Sequence, residues 1–118
     1  MRKVMVVDDD PLMRIHLKQM LVENGFNVAE AADGIEAISV YQAFEPDMVF
    51  LKIDISDKGG LAALKEIKEI NPNAHVAMIV VEGQQALVME ALKTGAVDFV
   101  NKPFDQEEVL GTLQKALG

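Results

Sequence analysis

Residues 46–60 read PDMVFLKIDISDKGG, and this stretch decides the fold. Met48 to Leu51 is a short apolar run with Pro46-Asp47 before it and a charge after it, the pattern of a strand buried on both faces. Lys52 stands at its carboxyl end. A loop with Asp54, Asp57 and the Gly59-Gly60 pair follows. In an open α/β sheet the carboxyl ends of central strands are where ligands and chemistry are placed. The type of residue at position 52 is therefore the first functional clue in the chain.

The same pattern recurs on both sides of this stretch. Val4 to Val7 is a continuous, mostly β-branched run ended by Asp8, Asp9 and Asp10. Asp10 before Pro11 reads as a helix N-cap with proline in the first turn, where no amide hydrogen is needed. Met13, Leu17, Met20 and Leu21 share a helical face that stops at Gly25. Asn27 to Ala31 is a weaker, more polar strand, suited to an edge. Asp33 and Glu36 resemble a capping box opening a helix in which Ile35, Ile38, Tyr41 and Phe44 face the core. Beyond the glycine pair, Leu61, Leu64, Ile67 and Ile70 recur at every third residue up to Asn71-Pro72. Val76 to Val81 is a fourth strand. Gly83 opens a helix containing Leu87, Ala91 and Leu92 and ended by Gly95. Val97 to Val100 is a fifth strand. Asp105, with Glu108 three residues on, caps a last helix using Val109, Leu113 and Leu117. Five βα units with short connections predict a parallel sheet with helices on both faces and right-handed crossovers.

Composition narrows the function classes. The 118 residues form one domain, 1–118, long enough for a proper core. Eleven basic against nineteen acidic residues give a net charge of −8, the wrong sign for a nucleic-acid or anionic-membrane surface. The absence of cysteine excludes disulfides and thiol chemistry. No run is long enough to span a membrane, and a cytoplasmic setting is expected. The seven methionines, at helix and strand spacing, are core filler. His16 and His75 are isolated and indicate no metal cluster. Phe104 reads as a core anchor.

Parallel topology brings the strand ends to one edge, so Asp8, Asp9, Lys52, Val80, Val81, Lys102 and Pro103 gather there. At this point VVDDD, PDMVFL, the glycine-pair loop, MEALKTGAVDFV and NKPF together resemble the CheY-like receiver domain of two-component response regulators over essentially the whole chain. GQQALVMEALKTGA resembles the chemotaxis type in particular. The resemblance implies a flavodoxin-like sheet of order 2-1-3-4-5 and a signalling module rather than an enzyme. It also implies a chemistry in which an aspartate at the end of strand three accepts a phosphoryl group, with Mg²⁺ held by carboxylates and a backbone carbonyl. Carried over residue by residue, Asp9 is the main metal ligand, Asp8 its support and the Asp54 carbonyl the backbone ligand. Lys102 pairs with the phosphoryl group across a cis Lys102–Pro103 bond.

Four positions depart from that pattern. Lys52 replaces the phosphoaccepting aspartate, and Val80 replaces the Ser or Thr that bonds the phosphoryl group. Ser56 replaces a usual proline, and Phe99 occupies the switch-aromatic position. Asp8, Asp9, Lys52 and Lys102 sum to zero charge where the family has −2. An ammonium within about 4 Å of Asp9 gains roughly 4 kcal/mol at an effective dielectric near 20, before desolvation, and would take the place of Mg²⁺. The expectation is a degenerate phosphorylation site with no cofactor and no bound metal: a pseudo-receiver acting through protein partners. Its docking face would be the last two helices and strand five, with Gln84, Gln85, Glu90, Lys93 and Phe99. The alternative is a Mg²⁺-dependent receiver phosphorylated on a substitute, Asp54, Asp8 or Asp9. Of these, the Asp54 side chain is expected to point away from the Asp9 pocket. A third reading, a small-ligand binder using the same edge, lacks any G-x-G-x-x-G loop.

Overall fold

A computed structural model describes residues 1–118. Strands β1 (Lys3–Val7), β2 (Asn27–Ala31), β3 (Met48–Lys52), β4 (Val76–Val80) and β5 (Asp98–Asn101) alternate with helices α1 (Pro11–Glu23), α2 (Gly34–Phe44), α3 (Gly60–Ile70), α4 (Gln85–Thr94) and α5 (Gln106–Leu117). All strand pairs are parallel, in the order β2-β1-β3-β4-β5. The parallel sheet follows the βα alternation, and its strand order is the flavodoxin-like one that the resemblance implies.

The sequence of each strand matches its place in the sheet. The unbroken apolar runs of β1, β3 and β4 are central and buried, whereas the more polar β2 and β5 are the edges. The sheet separates two cores. One is packed by α2, α3 and α4 over Met5, Val49, Leu51 and Met78; the other by α1 and α5 over Val4, Val6, Phe50 and Ile79. Side chains alternate across a strand, so a strand buried on both faces feeds both cores at once. At the opposite edge from the charged loops, the Arg2 guanidinium donates to the Leu117 carbonyl (3.1 Å) and draws the two ends of the chain together.

Several helix-face expectations need correction. Ile35 is 66 % exposed; α2 instead buries Gly34, Ala37 and Tyr41. Ile70 is exposed, and the buried face of α3 is Ala63, Leu64 and Ile67. At 3.6 residues per turn, three successive steps of three rotate the direction by about 180°, so Leu61 and Ile70 cannot share a face. On α4, where the sequence names Leu87, Ala91 and Leu92 without a buried face, the buried residues are Val88 and Ala91. Strand boundaries shift by one residue: Lys52 belongs to β3, β4 stops at Val80, and β5 begins at Asp98. The α5 capping box does not form, because Glu108 turns back to accept from both the backbone and side-chain amides of Asn101. Asp105 caps by accepting from the Glu107 amide.

Two glycines hold the β3–α3 connection in place. A β-carbon at Gly60 would lie 2.5 Å from the Lys52 carbonyl oxygen and closer still to that of Ile53. One at Gly34 would strike the Asp57 carbonyl, whose oxygen, together with that of Ser56, accepts the Gly34 amide hydrogen. The first turns of α3 and α2 thus press directly on the loop that follows Lys52. Gly60→Ala is expected to destabilise the fold by about 2 kcal/mol or more, since the obstruction is backbone that cannot step aside. Urea unfolding of the two proteins measures this.

Candidate functional site

The parallel register sets Val7 beside Leu51, Lys52 beside Ile79 and Val80 beside Asn101. The residues at and just beyond these positions therefore meet at one sheet edge. Asp8 is fully buried. Its amide donates to the Ala31 carbonyl, its Oδ1 accepts from the Asp10 amide (2.9 Å), and its own carbonyl accepts from Arg14 Nη1 (2.8 Å). Lys102 Nζ lies 2.8 Å from Asp8 Oδ2. That contact is ionic without being an aligned hydrogen bond, so Oδ2 has a counter-charge but no directed donor. Lys102 precedes the cis bond to Pro103, and Phe104 is buried behind it with its ring edge-on to His16.

Asp9 is bound on both oxygens. Lys52 Nζ donates to Oδ1 at 2.7 Å, and the Ser56 amide donates to Oδ2 at 3.1 Å. Lys52 is only 21 % exposed and also lies 3.6 Å from Asp54 Oδ1. The Asp54 side chain therefore turns toward the pair rather than away from it, because the ammonium attracts it. Its other oxygen accepts from Gln84 Nε2 at 3.1 Å. With Asp54 included, three carboxylates face two ammoniums, a local charge of −1 rather than zero.

The titration behaviour follows from this geometry. Burial works to raise the Asp9 pKa, but hydrogen bonds from Lys52 and Ser56 and the lysine charge outweigh it and hold the carboxyl below its ordinary 3.8. Burial works to lower the Lys52 pKa, but the bond to Asp9 and the charges of Asp54, Asp9 and Asp8 outweigh that and hold the ammonium above its ordinary 10.5. Both groups stay ionised at neutral pH, so Lys52 has no free lone pair for nucleophilic chemistry.

The residues at this edge do not fit a divalent cation. Both oxygens of Asp9 are taken by protein donors, one carboxylate oxygen of Asp8 is taken by an amide and the other faces an ammonium. No three carboxylates or histidines converge with metal-holding spacing. An ammonium already supplies the charge that a cation would bring.

At the end of β4, Val80 is buried and presents only methyl groups. It forms the floor of a largely apolar groove of about 300 Å³ whose walls are Val88, Met89 and Leu92 of α4 and Phe99 of β5. Phe99 is 37 % exposed. Gln85 lines this groove, but Glu90 does not: it faces the depression between α3 and α4, beside Lys65 and Lys68.

Comparison with known proteins agrees with the fold. The response regulator receiver domain family covers residues 4–114. The chemotaxis protein CheY of Bacillus subtilis (strain 168) is 41 % identical over 116 residues, 98 % of this chain and 97 % of the relative. CheY of Thermotoga maritima is 42 % identical over 115 residues, 97 % and 96 % of the two chains. Among solved structures, the receiver domain of NtrX from Brucella abortus superposes with a TM-score of 0.93 at 32 % identity, covering 97 % of both chains.

The chain belongs to the response regulator receiver family. It is a receiver module of two-component signalling, and no helix of this receiver is long and apolar enough to cross a membrane.

Sequence reasoning missed two contributors. The Ser56 amide on Asp9 is a backbone donor, and no residue type announces it. Gln84 reads as a surface residue, and only the fold turns it onto Asp54. The stability contributed by the Lys52–Asp9 pair has a defined pH window. The Asp9 part is fully present above that group's unfolded pKa and is lost as pH falls through the lower folded value. The Lys52 part is fully present below its unfolded pKa and is lost as pH rises through the higher folded value. Lys52→Met is expected to cost about 1–3 kcal/mol near neutral pH by leaving Asp9 without its cation. The difference from the parent protein shrinks in strong acid and strong base. Denaturant unfolding across pH reads it directly.

Proposed function

We propose that this domain, 1–118, is a pseudo-receiver: it takes part in two-component signalling through protein contacts and does not accept a phosphoryl group. The observation that carries this reading is the 2.7 Å hydrogen bond between Lys52 and Asp9. A nucleophilic carboxylate at position 52 would have to stand beside a metal-bound Asp9. Here an ammonium is placed at that position and is bonded to the group that would hold the metal. Val80 removes the hydroxyl on the other side of the pocket, so no side chain of β4 can donate to an incoming phosphoryl oxygen. Of the three side chains that would touch the phosphoryl group, only Lys102 keeps the expected type, and it is paired with Asp8.

Contacts with partners are assigned to the face made by α4, β5 and α5. Met89, Leu92, Val97 and Phe99 are large apolar side chains left exposed there. A cytoplasmic setting follows from the same reading. In this scheme Lys52 holds the site in one charge state at all times, and the surface presented to partners does not wait for a covalent signal.

One substitute acceptor has an observation in its favour. Asp54 is 53 % exposed on its side chain and lies within 3.6 Å of the Lys52 ammonium, whereas the oxygens of Asp8 and Asp9 are engaged inside the site. If any carboxylate reacted, it would be this one.

Intact mass after incubation with a small-molecule phosphodonor and Mg²⁺ separates the readings. The natural sequence is expected to gain no phosphoryl group and to show no saturable heat of Mg²⁺ binding by calorimetry. A Lys52→Asp, Val80→Thr double variant restores a third carboxylate and a hydroxyl, and is expected to gain both properties. A phosphoryl adduct on the natural sequence, mapped to Asp54, would replace the pseudo-receiver reading with the substitute-acceptor one.

A further inference from the structure

Beyond the charge pair, one side chain connects two loops that the backbone leaves separate. Gln84, immediately before α4, donates from Nε2 to Asp54 Oδ2 (3.1 Å) and accepts on Oε1 from the Val81 amide (2.9 Å). The Gln84 amide also reaches the Val81 carbonyl at 3.3 Å, so the Val81–Gln84 turn is closed from both directions. Asp54 in turn is 3.6 Å from Lys52. Its loop is a fixed post: the Ser56 amide is bonded to Asp9, and the Ser56 and Asp57 carbonyls both accept from the Gly34 amide.

We infer that Gln84 is a positioning residue, a latch that ties the β4–α4 turn and the start of α4 to Lys52 through Asp54. A buried valine at position 80 leaves β4 no polar side chain with which to sense the charges of the pocket. Gln84 supplies that link from the other end of the turn. Through it, the charge at position 52 fixes where α4 begins, and so holds Val88 and Met89, which form one wall of the Phe99 groove. The latch stands on this geometry whether or not a carboxylate of the site can be phosphorylated.

Amide hydrogen exchange on the full chain tests it. Gln84→Ala is expected to raise exchange at Val81 and in the first turn of α4 roughly fivefold, the size expected for loss of one or two surface hydrogen bonds, with β1 and β3 unchanged. Asp54→Ala is expected to produce the same pattern in the first turn of α4. Lys52→Met is expected to do so as well, while Lys52→Arg, which keeps the cation, preserves the parent rates. Unchanged exchange in Gln84→Ala overturns the latch. Faster exchange in Gln84→Ala with parent rates in both Asp54→Ala and Lys52→Met overturns the connection to position 52, leaving only a local turn. Because the readout involves no phosphodonor, phosphorylation of the natural sequence would overturn the pseudo-receiver reading without touching this result.

Discussion

A charge at the end of a buried strand must be solvated by the protein, because water reaches it from one side only. Lys52 terminates β3, the central strand of the sheet, and only about a fifth of its side chain meets solvent. The parallel sheet delivers Asp9 and Asp54 to the same edge, and the contact at 2.7 Å with Asp9 resolves the constraint. Much of the local structure then follows from where those carboxylates have to be. Asp9 is kept in place by the Ser56 amide, and the loop bearing Ser56 can pass so close only because Gly34 and Gly60 carry no side chains. Removing a buried or half-buried partner from such a pair costs more than the pair itself contributes, because the remaining ion is stranded.

The second pair, Lys102 with Asp8, shows how the same edge handles a fully buried charge. The one aligned hydrogen bond to the Asp8 carboxylate comes from the backbone, the Asp10 amide on Oδ1. The lysine adds charge without an aligned hydrogen bond. The two ammoniums therefore play different parts. Lys102 neutralises a carboxylate that the backbone already holds, whereas Lys52 is itself the donor that fixes its partner.

Much of the fold was legible because it rests on local rules. Apolar runs gave the three central strands, Asp10-Pro11 and Asp33 gave helix starts, and Gly25 and Gly95 gave helix stops. The four charged residues at the strand ends followed from parallel topology alone. The errors are rotational: Ile35 and Ile70 are apolar and sit in helices, but spacing by three drifts around the axis, and small residues such as Ala37 and Ala63 take the buried positions. In the site, the direction of the Asp54 side chain is not legible in the sequence because a turning loop carries no periodicity. The attraction that orients it is also non-local, reaching back to Lys52 and across to Gln84.

The bond between Arg2 and the Leu117 carbonyl has a consequence for architecture. Residues 2 and 117 are neighbours at the sheet edge away from the charges. A polypeptide joined at either end would leave from there, and neither junction would crowd Lys52, the Gln84 turn or the Phe99 groove. The same adjacency means that a short peptide bridge could close the chain into a ring, with new ends opened in an exposed loop. The order of elements along the chain is in that sense separable from the arrangement of charges they build.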